Sequence, residues 1–312
     1  MDEWSKFLQQ LINGLSQGSI YALIALGYTM VYGVLRFINF AHGDVFMIGA
    51  YMGLYFHRWL EPVFGKVPGP LGACVILLLS MVFCGILGIV IEFLAYRPLR
   101  ARPRLIVLIT AIGVSLFLEY FCQLQWVFGP NRQPFPDLVK TQTLHGLGNV
   151  TVKNTQLIVV GVTILLLLGL HFIVMKTRMG LAMRALSVNP TAAQLMGVNT
   201  NVVISFTFGL GSMLAAAAGI FSSMLYQQVQ PFMGVTAGTK AFVAAVLGGI
   251  GNIPGAALGG MLIGIVETMV VAYSSLIGIS SGYRDAVAFV ILILILILKP
   301  SGLLGKATRE KV

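Results

Sequence analysis

Long apolar stretches separated by short polar loops dominate the sequence. Eight stretches can be recognised, and none of them alternates polar and apolar positions as a strand of a membrane barrel would. A segment that crosses hydrocarbon must satisfy its own backbone hydrogen bonds, and a helix of about 20 apolar residues is long enough to cross it. The pattern therefore predicts an all-α fold, a polytopic membrane helical bundle of about 8–9 spans that include broken or re-entrant segments. The stretches cover residues 11–35, 38–56, 71–96, 105–127, 156–175, 202–226, 238–273 and 286–298.

Two of these stretches are interrupted by glycine-rich breaks, one in each half of the chain. Gly43 and Asp44 break residues 38–56, and the run Gly-Gly-Ile-Gly-Asn-Ile-Pro-Gly at residues 248–255 divides residues 238–273. Paired interrupted segments lie on the substrate route of many transporters. Glycines spaced four apart also allow helices to pack closely, which is the alternative interpretation. The second region is either two crossings or one crossing with a re-entrant half-helix.

The composition agrees with a membrane protein. Apolar residues make up 57% of the chain and charged residues 10%, against roughly 25% charged residues in ordinary soluble domains. The formal net charge is +10, but the basic residues lie beside the apolar stretches, where they set topology, so we expect no nucleic-acid partner. The three cysteines lie inside apolar stretches without metal-ligand spacing, so no metal or other cofactor is expected.

The basic loops predict the orientation of the spans. The densest cluster consists of the four arginines between residues 97 and 104, which places that loop in the cytoplasm. Counting spans from this loop puts residues 176–184 on the same side, and also the basic tail that begins at Lys299 if three spans follow the sixth. Residues 128–155 and the N-terminus then lie outside.

The segment 176–201, between two apolar stretches, is predicted to be a cytosolic docking segment. Asn189 and Pro190 indicate a helix start, because asparagine caps helix N-termini and proline fits the first helical position. Ala193 and Gly197 follow four residues apart, so they are expected to share one helical face. A face of small residues allows the surface of another protein to approach closely.

Polar residues at the start of the second stretch are the first candidates for chemistry. Asn39, His42 and Asp44 lie within a span of six residues. Polar groups inside a membrane are costly and usually have a function. These three either bind a neighbouring helix or line a solute path, and the sequence leaves both interpretations open.

Two acidic residues, Glu119 and Glu267, lie deeper inside apolar stretches. Either could pair with Lys240 or Arg284. Glu92 precedes the arginine cluster by about one helical turn. We expect its side chain to pair or to reach water at the cytosolic edge.

No catalytic motif is recognisable. The run Gly302-Leu-Leu-Gly-Lys-Ala-Thr308 has the wrong spacing for a phosphate-binding loop and follows no strand. The four histidines are scattered, and no Gly-x-Ser-x-Gly turn occurs in a strand-to-helix setting. We therefore expect no enzyme, no catalytic residue and no metal site.

Five sequence runs together carry a resemblance to a known family. They are Gly14-Leu-Ser-Gln-Gly-Ser-Ile-Tyr-Ala-Leu-Ile-Ala-Leu-Gly-Tyr-Thr-Met-Val-Tyr-Gly-Val-Leu35, Ile38-Asn-Phe-Ala-His-Gly-Asp44, Arg184-Ala-Leu-Ser-Val-Asn-Pro-Thr-Ala-Ala-Gln-Leu-Met-Gly-Val-Asn199, Ala244-Ala-Val-Leu-Gly-Gly-Ile-Gly-Asn-Ile-Pro-Gly255 and Lys299-Pro-Ser-Gly-Leu-Leu-Gly305. With these runs the chain resembles the H-type permease subunit of the high-affinity branched-chain amino acid ABC importers, the Liv system of bacteria. The runs extend from near the start of the chain to near its end.

The resemblance implies the transmembrane path of an ATP-driven importer. Such a protein is a multi-pass protein of the bacterial inner membrane, here with a single permease domain over residues 1–312. It pairs with a second, homologous permease, with two cytosolic ATPase subunits and with a periplasmic substrate-binding protein, and it contacts membrane lipid. It moves leucine, isoleucine and valine into the cytoplasm by alternating access and does not itself hydrolyse ATP.

The resemblance also implies where the ATPase docks. Permeases of this kind carry a cytosolic helix with the pattern Glu-Ala-Ala-x-x-x-Gly, and residues 191–197 fit it except that Thr191 stands in place of the glutamate. The predicted ATPase coupling helix comprises Arg184, Asn189, Pro190, Thr191, Ala192, Ala193 and Gly197. The candidates for the substrate path are Asn39, His42, Asp44, Gly248, Gly249 and Asn252.

Two other functions are compatible with the sequence. A stand-alone, ion-coupled secondary transporter would use Asp44, Glu119 or Glu267 as a proton or ion site. A permease of the same family could also carry another solute, such as urea or a short amide.

Overall fold

A single long helix, α1 (Glu3–Leu35), forms the centre of the structure. Most of its side chains from Gly14 onward are buried between other helices. A Cβ on Gly14 or Gly18 would clash with the backbone of helix α10 (Ile253–Ala272). Glycine at such positions lets two membrane helices come into backbone contact, which explains why α1 and α10 pack together. The structure, a computed structural model, describes residues 3–100, 102–145, 150–274 and 280–305.

The loops divide between two ends of the bundle. At the end that we call the inner end, Arg36 Nη2 donates a hydrogen bond to the carbonyl of Ser187 (3.1 Å). At the same end Arg100 Nη1 donates to Asn201 Oδ1 (2.8 Å). The arginine cluster and the predicted docking segment therefore lie together, as the basic loops predicted.

The opposite end, the outer end, carries the short strands. β1 (Gln133–Pro134) pairs antiparallel with β4 (Gln228–Val229), and β2 (Thr143–His145) pairs antiparallel with β3 (Thr151–Lys153). Gln9 Nε2, near the start of α1, donates to a backbone carbonyl of β3 (2.9 Å). The beginning of α1 and the loop after the fourth predicted span therefore share this end.

The two broken segments meet inside the bundle. α2 (His42–Phe64) begins against the middle of α1, because the loop after α1 turns back between the helices. α9 (Met233–Gly248) also begins inside the bundle, where Gly234 packs against Gly43 so closely that a Cβ on either glycine would clash. The predicted break at Gly43 and Asp44 thus packs on the start of α9, whereas the predicted break at residues 248–255 lies elsewhere, at the turn between α9 and α10.

The region 238–273 resolves into two helices that run in opposite directions. α9 leads from strand β4 at the outer end to a turn at the inner end, and α10 leads back. Gly249 (φ 102°) and Gly251 (φ 93°) form this turn in the left-handed region that favours glycine. Of these two helices, α10 is long and apolar enough to cross a membrane, whereas α9 is a shorter apolar helix, so the choice between two crossings and one crossing with a half-helix stays a prediction.

Helices α3 and α8 complete the inner layer around α1 and α2. α3 (Gly69–Ile91) continues into a π-helical segment (Glu92–Tyr96) and one 3₁₀ turn (Arg97–Leu99). α8 (Thr200–Tyr226) is buried along most of its length. Its alanine- and glycine-rich sequence lets α2 and α3 approach on either side.

Three helices lie at the periphery and expose apolar side chains. They are α4 (Arg104–Cys122), α5 (Asn154–Lys176) and α11 (Arg284–Leu298). In a membrane protein such surfaces face lipid or a second membrane subunit. Six of the described helices are long and apolar enough to cross a membrane by length and composition, which confirms the predicted polytopic helical bundle.

Candidate functional site

A cavity of about 170 Å³ lies in the outer half of the bundle, between α1, α2, α8, α9 and α11. Its lining combines polar and apolar side chains. The polar residues include Gln17, Tyr21, Gln228, Gln230, Lys240 and Arg284, and the apolar ones include Ile20, Phe46 and Met233. A concave site with an apolar wall and a few convergent polar groups is the usual form of a small-molecule site.

A cluster of four charged side chains lies beside this cavity, and two of them line it. Lys240 is only 4% exposed, and its Nζ lies 2.7 Å from Glu267 Oε1 and 2.7 Å from Asp285 Oδ1. Arg284 Nε lies 3.3 Å from the same Glu267 oxygen. Tyr21 donates its hydroxyl to the other oxygen of Glu267 (2.7 Å). Two cations and two anions make the cluster neutral as a whole, which satisfies charges that would be costly alone in a membrane.

The predicted pairing of Glu267 with Lys240 or Arg284 is thus confirmed with both partners. Only the two cations of the cluster, Lys240 and Arg284, belong to the cavity lining, and Glu267 and Asp285 do not. The cationic groups that line the cavity are therefore already paired with carboxylates.

A second cavity, of about 260 Å³, lies next to the first at the outer end. Gln17 and Tyr226 line both cavities. The Tyr226 hydroxyl donates to Gln17 Oε1 (2.8 Å), so that this hydrogen bond forms part of the wall between the two spaces.

The predicted path residues at the start of α2 are buried in contacts between helices. Asn39 Oδ1 accepts a hydrogen bond from the Tyr96 hydroxyl (2.7 Å). Asp44 Oδ2 accepts one from Ser115 of α4 (2.5 Å). His42 packs edge-on against a tyrosine of α1, with ring centroids 4.8 Å apart, and its Nε2 has no hydrogen-bond partner among the described residues. These contacts agree with the binding of neighbouring helices, and a role in a solute path stays a prediction.

The predicted path residues at the second break hold the inner end together. Gly248 packs on the backbone of α10, and Gly249 packs on the chain around Gly305. Asn252 caps α10 by accepting from Gly255 N (3.2 Å) and also donates to the carbonyl of Leu304 (2.7 Å). Their role in a solute path likewise stays a prediction.

The inner docking segment folds into two short helices, α6 (Arg178–Val188) and α7 (Pro190–Leu195). The helix start predicted at Asn189 and Pro190 is confirmed, because Asn189 Oδ1 accepts from Ala192 N (3.1 Å) and proline takes the first turn. Arg184 Nη2 donates to the carbonyl of Met175 (3.5 Å) and so ties α6 to the end of α5.

The predicted small-residue face on this segment is wrong. α7 ends at Leu195, and Gly197 takes the left-handed conformation (φ 84°) that terminates a helix, so it does not share a helical face with Ala193. Ala193 is buried against the chain itself. The exposed surface is instead made of large apolar side chains, with Leu195 84% and Met196 83% exposed.

Two further buried carboxylates, Glu92 and Glu119, differ in whether they have ion-pair partners among the described residues. Glu92 is fully buried and pairs with Arg97 and Arg100, which confirms the expected pairing at the cytosolic edge. Ser205 of α8 also donates to it (2.5 Å). Glu119 is buried and has no ion-pair partner in the part of the chain that the structure describes.

Sequence reasoning missed the polar lining of the cavity. Gln17 is uncharged and lies inside the first predicted stretch, so nothing singled it out, and the stretch 226–231 with Gln228 and Gln230 indicates a cap and turn in preference to an outer gate. Lys240 was the available signal, since it is the single charge between Arg184 and Glu267. Within the described residues no group of three or more His, Cys, Asp or Glu side chains could hold a metal ion.

Comparison with known proteins relates this architecture to one transport family. Residues 10–296 match the family described as "Branched-chain amino acid transport system / permease component". The chain is 42% identical over 315 residues to the high-affinity branched-chain amino acid transport system permease protein BraD of Pseudomonas aeruginosa, with 100% of both chains covered. It is 41% identical over 314 residues to the corresponding LivH of Escherichia coli K12, covering 100% of this chain and 99% of LivH.

A more distant relative has another named solute. The chain is 26% identical over 297 residues to the ribose import permease protein RbsC of Haemophilus influenzae, covering 93% of this chain and 84% of RbsC. Because the family match and the two stronger similarities extend over nearly the whole chain, this multi-pass inner-membrane protein belongs to the branched-chain amino acid permease family of the ABC transporters.

Proposed function

We propose that this chain is the transmembrane permease subunit of an ATP-driven importer that moves leucine, isoleucine and valine into the cytoplasm by alternating access. The observation that carries the proposal is the identity of 41–42% over the full length with two permeases named for branched-chain amino acids. The chain itself would form the path, and ATP hydrolysis would take place in separate subunits.

The outer cavity supports this substrate class. Ile20, Phe46 and Met233 provide an apolar wall that suits a branched aliphatic side chain. The glutamines and the two cations on the other walls suit the polar head of an amino acid.

The inner end supports coupling to cytosolic ATPase subunits. Leu195 and Met196 project from the turn after α7 with most of their surface exposed, although large apolar side chains at the aqueous end of a membrane protein are unfavourable unless a partner covers them. The residues proposed for coupling remain Arg184, Asn189, Pro190, Thr191, Ala192, Ala193 and Gly197, with the first six shaping the segment and Gly197 ending its helix. Two ATPase subunits, a second homologous permease and a periplasmic substrate-binding protein would complete the importer.

The contacts of Glu267 and Asp44 argue against two of the three carboxylates that a stand-alone, ion-coupled transporter could use, while Glu119 has no ion-pair partner in the described part of the chain. Glu267 is held by Lys240, Arg284 and Tyr21, so it is not free to take up an ion, and Asp44 is held by Ser115. Moving either carboxylate through an ion-binding cycle would break these contacts in a low-dielectric environment.

Competition for uptake tests the proposed substrate. Proteoliposomes that contain the permease pair, the ATPases and internal ATP are given the binding protein and labelled leucine outside. Excess isoleucine and valine are expected to suppress the uptake of labelled leucine, whereas ribose, urea and acetamide are expected to leave it unchanged. Uptake of labelled ribose or urea in place of leucine would instead favour a permease of the same family with another solute.

A further inference from the structure

The outer cavity and the neutral charge cluster beside it share two residues, Lys240 and Arg284. Both line the cavity, and each lies within 3.5 Å of a carboxylate. A ligand with a net charge would unbalance this cluster, whereas a ligand that carries one charge of each sign would not.

From this geometry we infer that the cavity is a binding site for the zwitterionic head of an α-amino acid, with Lys240 and Arg284 as the carboxylate-binding groups. The inference rests on the proposed function and assigns a site within the path. Charge-assisted hydrogen bonds from lysine and arginine to a carboxylate are the strong ones, and guanidinium matches carboxylate geometry especially well.

The ammonium group of the zwitterion meets neutral hydrogen-bond acceptors. Gln17, Gln228, Gln230 and Tyr226 line the same cavity, and the amide and hydroxyl oxygens of these side chains can accept a hydrogen bond from an ammonium group. Gln17 Oε1 already accepts one hydrogen bond, from Tyr226 (2.8 Å). Since an amide oxygen has two lone pairs, it can accept a second from the ligand.

The site should therefore discriminate by net charge as well as by shape. Leucine keeps the cluster neutral. Leucinamide lacks the carboxylate and brings a net positive charge beside two cations. 4-Methylpentanoate lacks the ammonium group and brings a net negative charge into a site whose cations are already paired. We expect leucine to bind more tightly than either analogue.

Protection of a cavity thiol measures this binding directly. Thr236 lines the cavity, and Thr239, one turn further along α9, is exposed outside it. Thr236→Cys is introduced with Cys74→Ser, because Cys74 is the exposed native thiol while Cys84 and Cys122 are buried. The complete complex with its second permease and ATPases is reconstituted without ATP and without binding protein, and a water-soluble thiol reagent is added. Thr239→Cys in the same background is the matched reporter.

Leucine is expected to slow labelling at position 236 and to leave labelling at position 239 unchanged. Leucinamide and 4-methylpentanoate should need concentrations at least about tenfold higher, which corresponds to about 1.4 kcal/mol. Arg284→Gln should raise the leucine concentration for half-protection by about tenfold, while Arg284→Lys should retain most of the protection. Arg132→Gln, an exposed outer-loop arginine that does not line the cavity, is the charge-matched control and should change nothing.

Absence of protection by leucine, equal protection by all three compounds, or unchanged protection in Arg284→Gln would each overturn the inference. ATP-driven leucine uptake by the same wild-type preparation separates this result from the proposed function. Uptake without protection would overturn only the assignment of this binding site. Protection without ATP-driven uptake would overturn only the proposed importer function.

Discussion

At the scale of single residues, Glu267 illustrates how a buried charge depends on its partners. Three groups converge on this buried carboxylate, and one of them, Lys240, is itself buried. Removing one partner of a buried ion pair leaves the other charge uncompensated. The cluster must therefore be complete for the outer half of the bundle to hold together.

Glu267→Leu is predicted to destabilise the protein. It leaves Lys240 buried with only the half-exposed Asp285, and loss of one partner from a buried pair costs about 3–5 kcal/mol. The free energy of unfolding, measured by denaturation in detergent micelles, should fall by that amount. The double variant Lys240→Met/Glu267→Leu should recover most of the loss, because it leaves no buried charge. A single variant as stable as the wild type would contradict this role.

Some of these residues were predictable and others were not. Charges inside apolar stretches are few, so the possible partners of Glu267 could be named from the sequence. Gln17 and Gln230 could not be assigned to a cavity, because an uncharged polar side chain gives no signal of which way its helix is turned. The same is true of Asn39 and Asp44, whose partners Tyr96 and Ser115 lie far away in the sequence.

At the scale of elements, glycine contacts decide which helices form the centre. Gly264 of α10 packs against the backbone of α1 at Gly18. Gly161 of α5, in contrast, has no atom within 4 Å of the position where its Cβ would stand, and it faces outward. Both are helical glycines in predicted spans, so they form a matched pair.

Gly264→Leu is predicted to separate α1 from α10, whereas Gly161→Leu is predicted to be tolerated. Overpacking of a close contact costs about 1–3 kcal/mol, and a leucine at this backbone contact should fall at the upper end. The yield of monodisperse protein and its melting temperature in detergent report the difference. Equal stability of the two variants would show that α1 and α10 do not depend on this contact.

In the docking segment, the local sequence pattern predicted where helix α7 begins but not where it ends. The sequence indicated the start of α7 through Asn189 and Pro190, because capping is a local property. Ala193 and Gly197 suggested a continuing helix, but glycine is also the residue that ends one, and spacing alone cannot separate the two. The exposed Leu195 and Met196 became visible only once the end of the helix was known.

Gly197 is therefore predicted to act through its backbone conformation. A residue with a Cβ in the left-handed region is disfavoured by about 1–2 kcal/mol, and asparagine is more readily accommodated there than most. Gly197→Val should lower ATP-driven uptake more than Gly197→Asn does at equal expression. The reverse order would indicate that the size of the residue, and not its backbone, matters.

Leu195→Asp is predicted to uncouple the permease from its ATPases. The substitution places a charge on the exposed apolar tip without touching the buried side of α7, so membrane insertion and melting temperature should stay unchanged. ATPase subunits should co-purify less well, and transport should fall. Leu195→Met, which keeps an apolar side chain, is the control. Normal co-purification of Leu195→Asp would place the docking surface elsewhere.

At the scale of the whole molecule, two halves with interrupted segments enclose one region. α2 and α9 both begin inside the bundle, and they meet at Gly43 and Gly234. The helical bundle followed from apolar length, although six described helices qualify as spans against about 8–9 predicted, and the basic loops at residues 97–104 and 176–201 lie at one end as predicted. The contact between Gly43 and Gly234 did not follow from the sequence, because it joins residues nearly two hundred positions apart.

Helix α8 links the cavity to the docking segment. The cavity lies toward the outer end, and α6 and α7 lie at the inner end, directly before α8, which lines the cavity near its far end. A movement of the docking segment would reach the cavity through α8. This arrangement suits a path that opens alternately to the two faces under the control of partners on the inner side.

The dependence of uptake on ATP tests this account most directly. Leucine uptake is measured in proteoliposomes that contain the permease pair with wild-type ATPases or with ATPases that bind but do not hydrolyse ATP, each with and without an imposed proton gradient. We predict uptake only with hydrolysing ATPases and internal ATP, with no contribution from the gradient. Uptake that continues without ATP hydrolysis and follows the proton gradient would contradict the account.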